Sequence, residues 1–174
     1  MSDCIDDIIT FPYKLDTFQD KSIKCIRKGN NVLVTAHTSA GKSTVAEYAI
    51  AHARYLGKRI LYTSPIKALS NQKYNDFQKK FGNHVGIMTG DIKVRPDAEI
   101  LVATTEIVNN LLYLDSSYFD DVYAIVLDEV HYIRDEDRGH VWEEVITLCP
   151  KHIILVMLSA SIPGAEGFAK WVEK

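Results

Sequence analysis

One stretch limits what this chain can become: Ala36-His37-Thr38-Ser39-Ala40-Gly41-Lys42-Ser43. In front of it stands the β-type run Asn31-Val32-Leu33-Val34-Thr35. Behind it, Thr44 to Leu56 carries Val45, Ala46, Ala49, Ile50, Ala53 and Leu56 at helical spacing. A strand, a loop of small residues, Gly-Lys-Ser and a helix together form a phosphate-binding loop. Small side chains let backbone N–H groups turn inward around a phosphate. The helix that begins there adds its unpaired N–H groups and about half a positive charge. Lys42 brings a full charge to the outer phosphates, and the Ser43 hydroxyl suits Mg²⁺. Residues Ala36 to Thr44 are therefore the candidate nucleotide-binding loop, although the general pattern has Gly where Ala36 stands.

The chain has 174 residues, which suits one α/β domain with a real core. Its 47% hydrophobic and 25% charged residues are ordinary for a globular protein. No apolar run approaches a membrane span, and the acidic start, Met1 to Asp7, has no signal-peptide shape. Cys4, Cys25 and Cys149 lack metal-type spacing and are odd in number, so they read as reduced thiols of a cytosolic or nuclear protein. A net charge of −3 speaks against a broadly basic nucleic-acid face. Any RNA contact must be local, through backbone amides and hydroxyls as well as lysines.

In chain order, Asp16 is a good N-cap and Gln19 completes a capping box for a helix to about Lys28, stopped by Gly29. Strands are expected at 32–36, 59–63, 85–88, 99–103, 121–127 and 153–158. Ser64-Pro65-Ile66-Lys67 opens a helix to about Lys80, Thr104-Thr105-Glu106 opens one ending near Leu114, and Gly139 to Leu148 reads as another. Pro163 starts a last helix through Trp171. Thr89-Gly90-Asp91 follows a strand, and Arg95-Pro96-Asp97 breaks the chain. Strands alternate with helices, and polar residues cluster just after the strands. The expected fold is α/β, a parallel sheet with helices on both faces and its site at the carboxyl edge.

A second signal lies at the end of the strand before Asp128-Glu129-Val130-His131. A nucleotide motor needs two carboxylates there with separate tasks. Asp128 can hold the Mg²⁺ water shell opposite Ser43, and Glu129 can orient and deprotonate the attacking water. A plain solvated turn is the competing reading, and pairing with the phosphate loop in this order favours chemistry. Asp135-Glu136-Asp137 reads as a solvated loop and not as a metal site.

These motifs, with Ser-Pro-Ile-Lys-Ala-Leu-Ser-Asn-Gln-Lys from Ser64 and Ser159-Ala160-Ser161, resemble the first RecA-like domain of a superfamily 2 DExH-box helicase. Ala at the first loop position is a form associated with helicases. More narrowly, the phosphate loop, the Ser64 segment and Arg138-Gly139-His140-Val141-Trp142-Glu143-Glu144 resemble the superkiller-type RNA helicases, which feed RNA to the exosome in nucleus or cytoplasm. The resemblance runs from Phe11 to Trp171. It implies that Gln19 reads the adenine edge of ATP while Tyr13, or else Phe11, stacks on the ring. It implies that Lys42 and Ser43 bind phosphate and Mg²⁺. It places Ser64, Pro65, Ile66, Lys67, Thr89, Gly90, Asp91, Thr104, Thr105 and Glu106 along single-stranded RNA, with N-capping as the competing role for the threonines at 104 and 105. It gives Ser159 and Ser161, with His131, the coupling of nucleotide state to a partner domain; Ser161 stands where the family usually has Thr.

Such helicases use two RecA-like domains, and the second supplies arginines to the γ-phosphate. Its motifs are not found in these residues. The expectation is a single domain, 1–174, either excised or a naturally short relative, which alone binds nucleotide weakly, barely hydrolyses it and does not unwind RNA. Two other classes stand beside this one: a nucleotide-binding interaction module without motor activity, and a small-molecule kinase, for which a lid and an acceptor pocket are wanting.

Overall fold

A computed structural model describes residues 8–37 and 40–173 of the chain. Thr38 and Ser39 of the candidate loop lie outside the described residues, as does Cys4. The elements are α1 (Thr17–Arg27), β1 (Val32–Thr35), α2 (Lys42–Tyr55), β2 (Arg59–Ser64), α3 (Lys67–Phe81), β3 (Val85–Met88), β4 (Lys93–Val94), β5 (Ile100–Thr104), α4 (Thr105–Leu114), β6 (Val122–Leu127), α5 (Gly139–Leu148), β7 (Ile154–Ser159) and α6 (Ala165–Val172). Three 3₁₀ turns, Gly82–His84, Ser116–Phe119 and Val130–Arg134, join them.

The strands form one sheet in the order β1-β7-β6-β2-β5-β3-β4. Every neighbouring pair is parallel except β3 and β4, which run antiparallel. The expected parallel sheet is present, with one short antiparallel strand added at this edge. The cause is a tight turn at Thr89-Gly90-Asp91, closed by the Thr89 N–H donating to the Ile92 carbonyl at 2.8 Å. Both residues of β4 are exposed, so no apolar periodicity announces it.

Side-chain alternation along the strands builds two cores. Ile60, Tyr62, Ile100, Val102, Val126 and Val156 point to one face, under α1, α2 and α3. Leu61, Leu101, Ile125, Leu127, Leu155 and Met157 point to the other, under α4 and α5, where Val108, Val141, Trp142 and Val145 meet them. The middle strands are buried on both faces, as a parallel sheet covered twice requires. Truncating one such side chain, Leu101→Ala for example, costs about 2–5 kcal/mol. Among the described residues no helix is long and apolar enough to cross a membrane.

Candidate nucleotide and RNA site

The sheet order sorts the candidate residues. β1, β7 and β6 are neighbours, and their carboxyl ends carry the phosphate loop, Ser159-Ala160-Ser161 and Asp128-Glu129. β2, β5 and β3 are neighbours as well, and their carboxyl ends carry Ser64 to Lys67, Thr104 to Glu106 and Thr89 to Asp91. Nucleotide candidates and RNA candidates thus occupy two halves of one edge, meeting between β6 and β2.

In the nucleotide half, Gly41 takes a left-handed backbone, φ 82°, as the N-cap of α2. A Cβ there would fall 2.7 Å from Gln19 Nε2, so the loop passes where only glycine fits. No side chain caps the helix start, which leaves its N–H groups to the loop. The Lys42 ammonium donates to the carbonyls of Ala36 at 2.5 Å and His37 at 3.1 Å. Ser43 is exposed and Thr44 buried.

Gln19 is almost wholly buried and tied at both ends. Its Oε1 accepts from the Asp16 N–H at 2.8 Å, and its Nε2 donates to the Gly41 carbonyl at 3.0 Å. The helix cap and the link to the loop are both made by one amide. One N–H and one lone pair are left over for a base edge. Tyr13 is half exposed and its hydroxyl lies 2.8 Å from Thr44 Oγ1, with the Phe11 ring 5.7 Å away, so both aromatics stand beside the loop.

Asp128 is held from two sides. Tyr62 donates its hydroxyl to Oδ2 at 2.5 Å, and the Glu129 N–H donates to Oδ1 at 2.9 Å. Burial, and then the Asp128 charge, push the Tyr62 phenol well above its ordinary value, so it stays a donor. The Asp128 N–H in turn donates to the Thr63 carbonyl at 3.0 Å. Glu129 has a left-handed backbone, φ 55°, rare for a non-glycine residue.

His131 joins the two motifs of this half. The Ala160 N–H donates to its Nδ1 at 3.3 Å, and Ser159 Oγ stands 3.4 Å from the same nitrogen. An accepting Nδ1 puts the ring proton on Nε2, which faces Glu129 Oε2 at 3.3 Å. Ser159 is buried and donates to the Ala160 carbonyl at 2.7 Å, while Ser161 is exposed.

Among the described residues no group of three or more His, Cys, Asp or Glu side chains could hold a metal alone. Ser43 and Asp128 nevertheless fit Mg²⁺, which takes hard oxygen donors, keeps several waters and shares substrate phosphates. Among the described residues each Asp128 oxygen accepts a single hydrogen bond and has a lone pair left. Asp135 is used otherwise: its Oδ1 accepts from the Asp137 and Arg138 N–H groups, as a turn residue does.

In the RNA half, several side chains face inward. Ser64 is buried and its Oγ meets Ser70 Oγ at 2.6 Å; Thr105 is buried and donates to the Ser64 carbonyl at 3.4 Å. Pro65, Thr89 and Thr104 are buried too, whereas Ile66, Lys67, Gly90 and Asp91 are exposed. Thr104 is the N-cap of α4 but makes no side-chain cap, and α3 also begins uncapped. Two helix starts therefore stand side by side with N–H groups suited to phosphate oxygens. Lys67 Nζ pairs with Asp91 at 2.5 Å, which accounts for an acidic residue on this surface.

Two residues were not singled out by the sequence pattern. Tyr62 hides in an apolar strand; its signal is a phenol in a fully buried strand, which needs a hydrogen-bond partner. Arg138 sits inside a motif but between the two halves, bonded to Glu106 and to the Pro65 carbonyl. Glu106, placed by motif along RNA, accepts both bonds from that arginine on its Oε1.

A family model described as DEAD/DEAH box helicase matches residues 16–167. The chain is 53% identical over 164 residues to the DExH-box ATP-dependent RNA helicase DExH9 of Arabidopsis thaliana, covering 94% of the chain and 16% of that protein. It is 50% identical over 162 residues to the Exosome RNA helicase MTR4 of Homo sapiens, covering 93% and 16%. It spans about one sixth of the length of these relatives. The crystal structure of the DUF1998 helicase MrfA bound to DNA superposes with a TM-score of 0.74 at 20% identity, covering 91% of this chain and 26% of that one. That likeness concerns the fold.

Proposed function

Because the chain belongs to the DEAD/DEAH box helicase family, we propose that it is the ATP-binding, first RecA-like domain of an RNA helicase. The whole motor translocates on or unwinds RNA in decay or processing with the exosome, in nucleus or cytoplasm, and needs a second RecA-like domain to complete its site. One observation carries the reading: the phosphate loop, Asp128-Glu129 and Ser159 end three adjacent strands, while the candidate RNA segments end the next three.

The division of labour follows from the side chains. The start of α2 and Lys42 bind phosphate, with Lys42 exchanging the loop carbonyls for phosphate oxygens. Ser43 and Asp128 would hold Mg²⁺, which supplies charge neutralisation on the phosphates. Tyr62 and the Glu129 N–H orient the Asp128 carboxylate. Glu129 aligns a water and takes its proton, and the His131 Nε2–H steadies the carboxylate that does so. His131 also reports on Ser159-Ala160, so the partner domain that meets this segment senses the same site. Tyr13 and Gln19 meet the base. RNA runs over the starts of α3 and α4, held by backbone N–H groups and Lys67.

ATP binding by this chain and by Lys42→Ala, read by calorimetry, tests the reading. Affinity is expected to fall at least ~10-fold in the variant, since a charge-assisted phosphate contact is lost. Unchanged binding would refute the assignment of the loop.

A further inference from the structure

Arg138 lies where the two halves of the edge meet. Its Nε and Nη2 donate to Glu106 Oε1 at 3.0 and 2.5 Å, and Nη2 also donates to the Pro65 carbonyl. The guanidinium lies 5.5 Å from the centre of the buried Trp142 ring and 5.9 Å from that of Tyr132. One side chain thus fixes Pro65, just before α3, to the first turn of α4. Those are the two helix starts assigned above to RNA.

The place of Arg138 is set from the nucleotide side. The Glu129 carbonyl accepts from Tyr132 N–H at 3.0 Å, the Tyr132 carbonyl from Asp135 N–H at 2.9 Å, and the Asp135 carbonyl from Gly139 N–H at 2.9 Å. Asp135 Oδ1 accepts from the Arg138 N–H itself at 2.8 Å. This is an unbroken hydrogen-bonded path from the water-activating residue to the arginine. Gly139 locks its far end: a Cβ there would lie 2.2 Å from the Ile133 carbonyl oxygen, so α5 is seated directly on the turn. One turn along, Asn109 of α4 donates to Glu144 of α5 at 2.6 Å, which keeps the two helices in step.

We propose that Arg138 is a positioning residue that couples nucleotide occupancy to RNA affinity. A change at Glu129 moves the turn Val130–Arg134, the turn carries Arg138, and Arg138 moves the starts of α3 and α4 together. A guanidinium suits this task because its planar fork serves two acceptors while its face rests on aromatic rings. Glu106 acts through Arg138 and not on RNA. The proposal rests on the helicase reading above.

The test is a binding linkage in the complete helicase. The affinity for a single-stranded RNA oligonucleotide is measured by fluorescence anisotropy with and without a non-hydrolysable ATP analogue. Coupling of this kind is worth about 5–150-fold, and wild type is expected at ~10-fold or more. Arg138→Ala is expected to bring the ratio to about 1–2 while nucleotide-free RNA affinity stays within about 3-fold. Arg138→Lys keeps the charge but not the fork, and its ratio is expected below half of wild type; this variant decides if the alanine variant does not fold. Wild-type ratios in the folded variants would overturn the proposal and leave the helicase reading standing. A wild-type protein that binds the analogue but shows no linkage would overturn both.

Discussion

Glu129 holds a left-handed backbone that costs a non-glycine residue about 1–2 kcal/mol. The distortion separates two adjacent carboxylates. Asp128 is bonded back to Tyr62 on β2, while Glu129 is turned toward His131. Glu129→Gln keeps the length and a carbonyl that can accept from His131. It should bind ATP within a few-fold of wild type and lose turnover by about 10²–10⁴-fold in the complete helicase. Normal hydrolysis would remove Glu129 as the base. Tyr62→Phe removes the donor that orients Asp128. It should weaken Mg²⁺ binding to the nucleotide complex about 10-fold, read by metal titration; an unchanged titration would make Tyr62 a core residue only. The contrast marks what is legible in a sequence at this scale. Lys42 stands out as a candidate through Gly-Lys-Ser at the start of α2, and Asp128 and Glu129 because charge at the end of β6 breaks the apolar pattern. Tyr62 is not, because its ring obeys the alternation of β2 and only its oxygen departs from it. The Ser64 and Thr105 hydroxyls show the other limit: a motif does not reveal that both bond inside the protein, to Ser70 and to the Ser64 carbonyl.

Elements are set by their ends. The segment Gly139–Leu148 is a helix with the bounds its sequence suggests, because Gly139 is needed where it meets the Ile133 carbonyl. β4 was not readable, since two exposed residues held by a turn carry no periodicity. Two glycine substitutions should therefore differ in sign. Gly139→Ala should destabilise by about 1–3 kcal/mol through overpacking. Gly167→Ala, in the first turn of α6 with nothing within 4 Å of the added carbon, should stabilise by up to about 1 kcal/mol. Urea midpoints of the two variants check this, and shifts of the same sign would contradict it. α2 adds a pH dependence. His52 is buried between Tyr48 and Tyr123, and its Nδ1 has no hydrogen-bond partner among the described residues. Burial, and then the charge of Arg27, hold its imidazole below the ordinary 6.5. The folded value is the lower one, so below the ordinary value the unfolded chain takes up a proton that the folded chain refuses. Its contribution is full above 6.5 and declines as pH falls beneath it. Unfolding midpoints should drop between pH 7.5 and 5.5 by less in His52→Phe than in wild type. Equal drops would place the dependence elsewhere.

At the scale of the molecule, strand order does what no single motif does. β1, β7 and β6 gather the nucleotide candidates, β2, β5 and β3 gather the RNA candidates, and Tyr62–Asp128 with Arg138 joins the halves. The motif order along the chain announced both sets. Their separation on the edge is not legible, because it depends on β6 and β7, the last strands in the chain, inserting between β1 and β2. On the proposed reading, this domain furnishes one side of the bound phosphate. The arginines expected from a second domain are worth about 10³–10⁵ in rate. The most direct measurement is ATP turnover, with and without single-stranded RNA, by this folded chain beside the complete helicase. The account predicts background turnover for the chain alone and RNA-stimulated turnover for the complete protein. Robust RNA-stimulated turnover by the chain alone would contradict it.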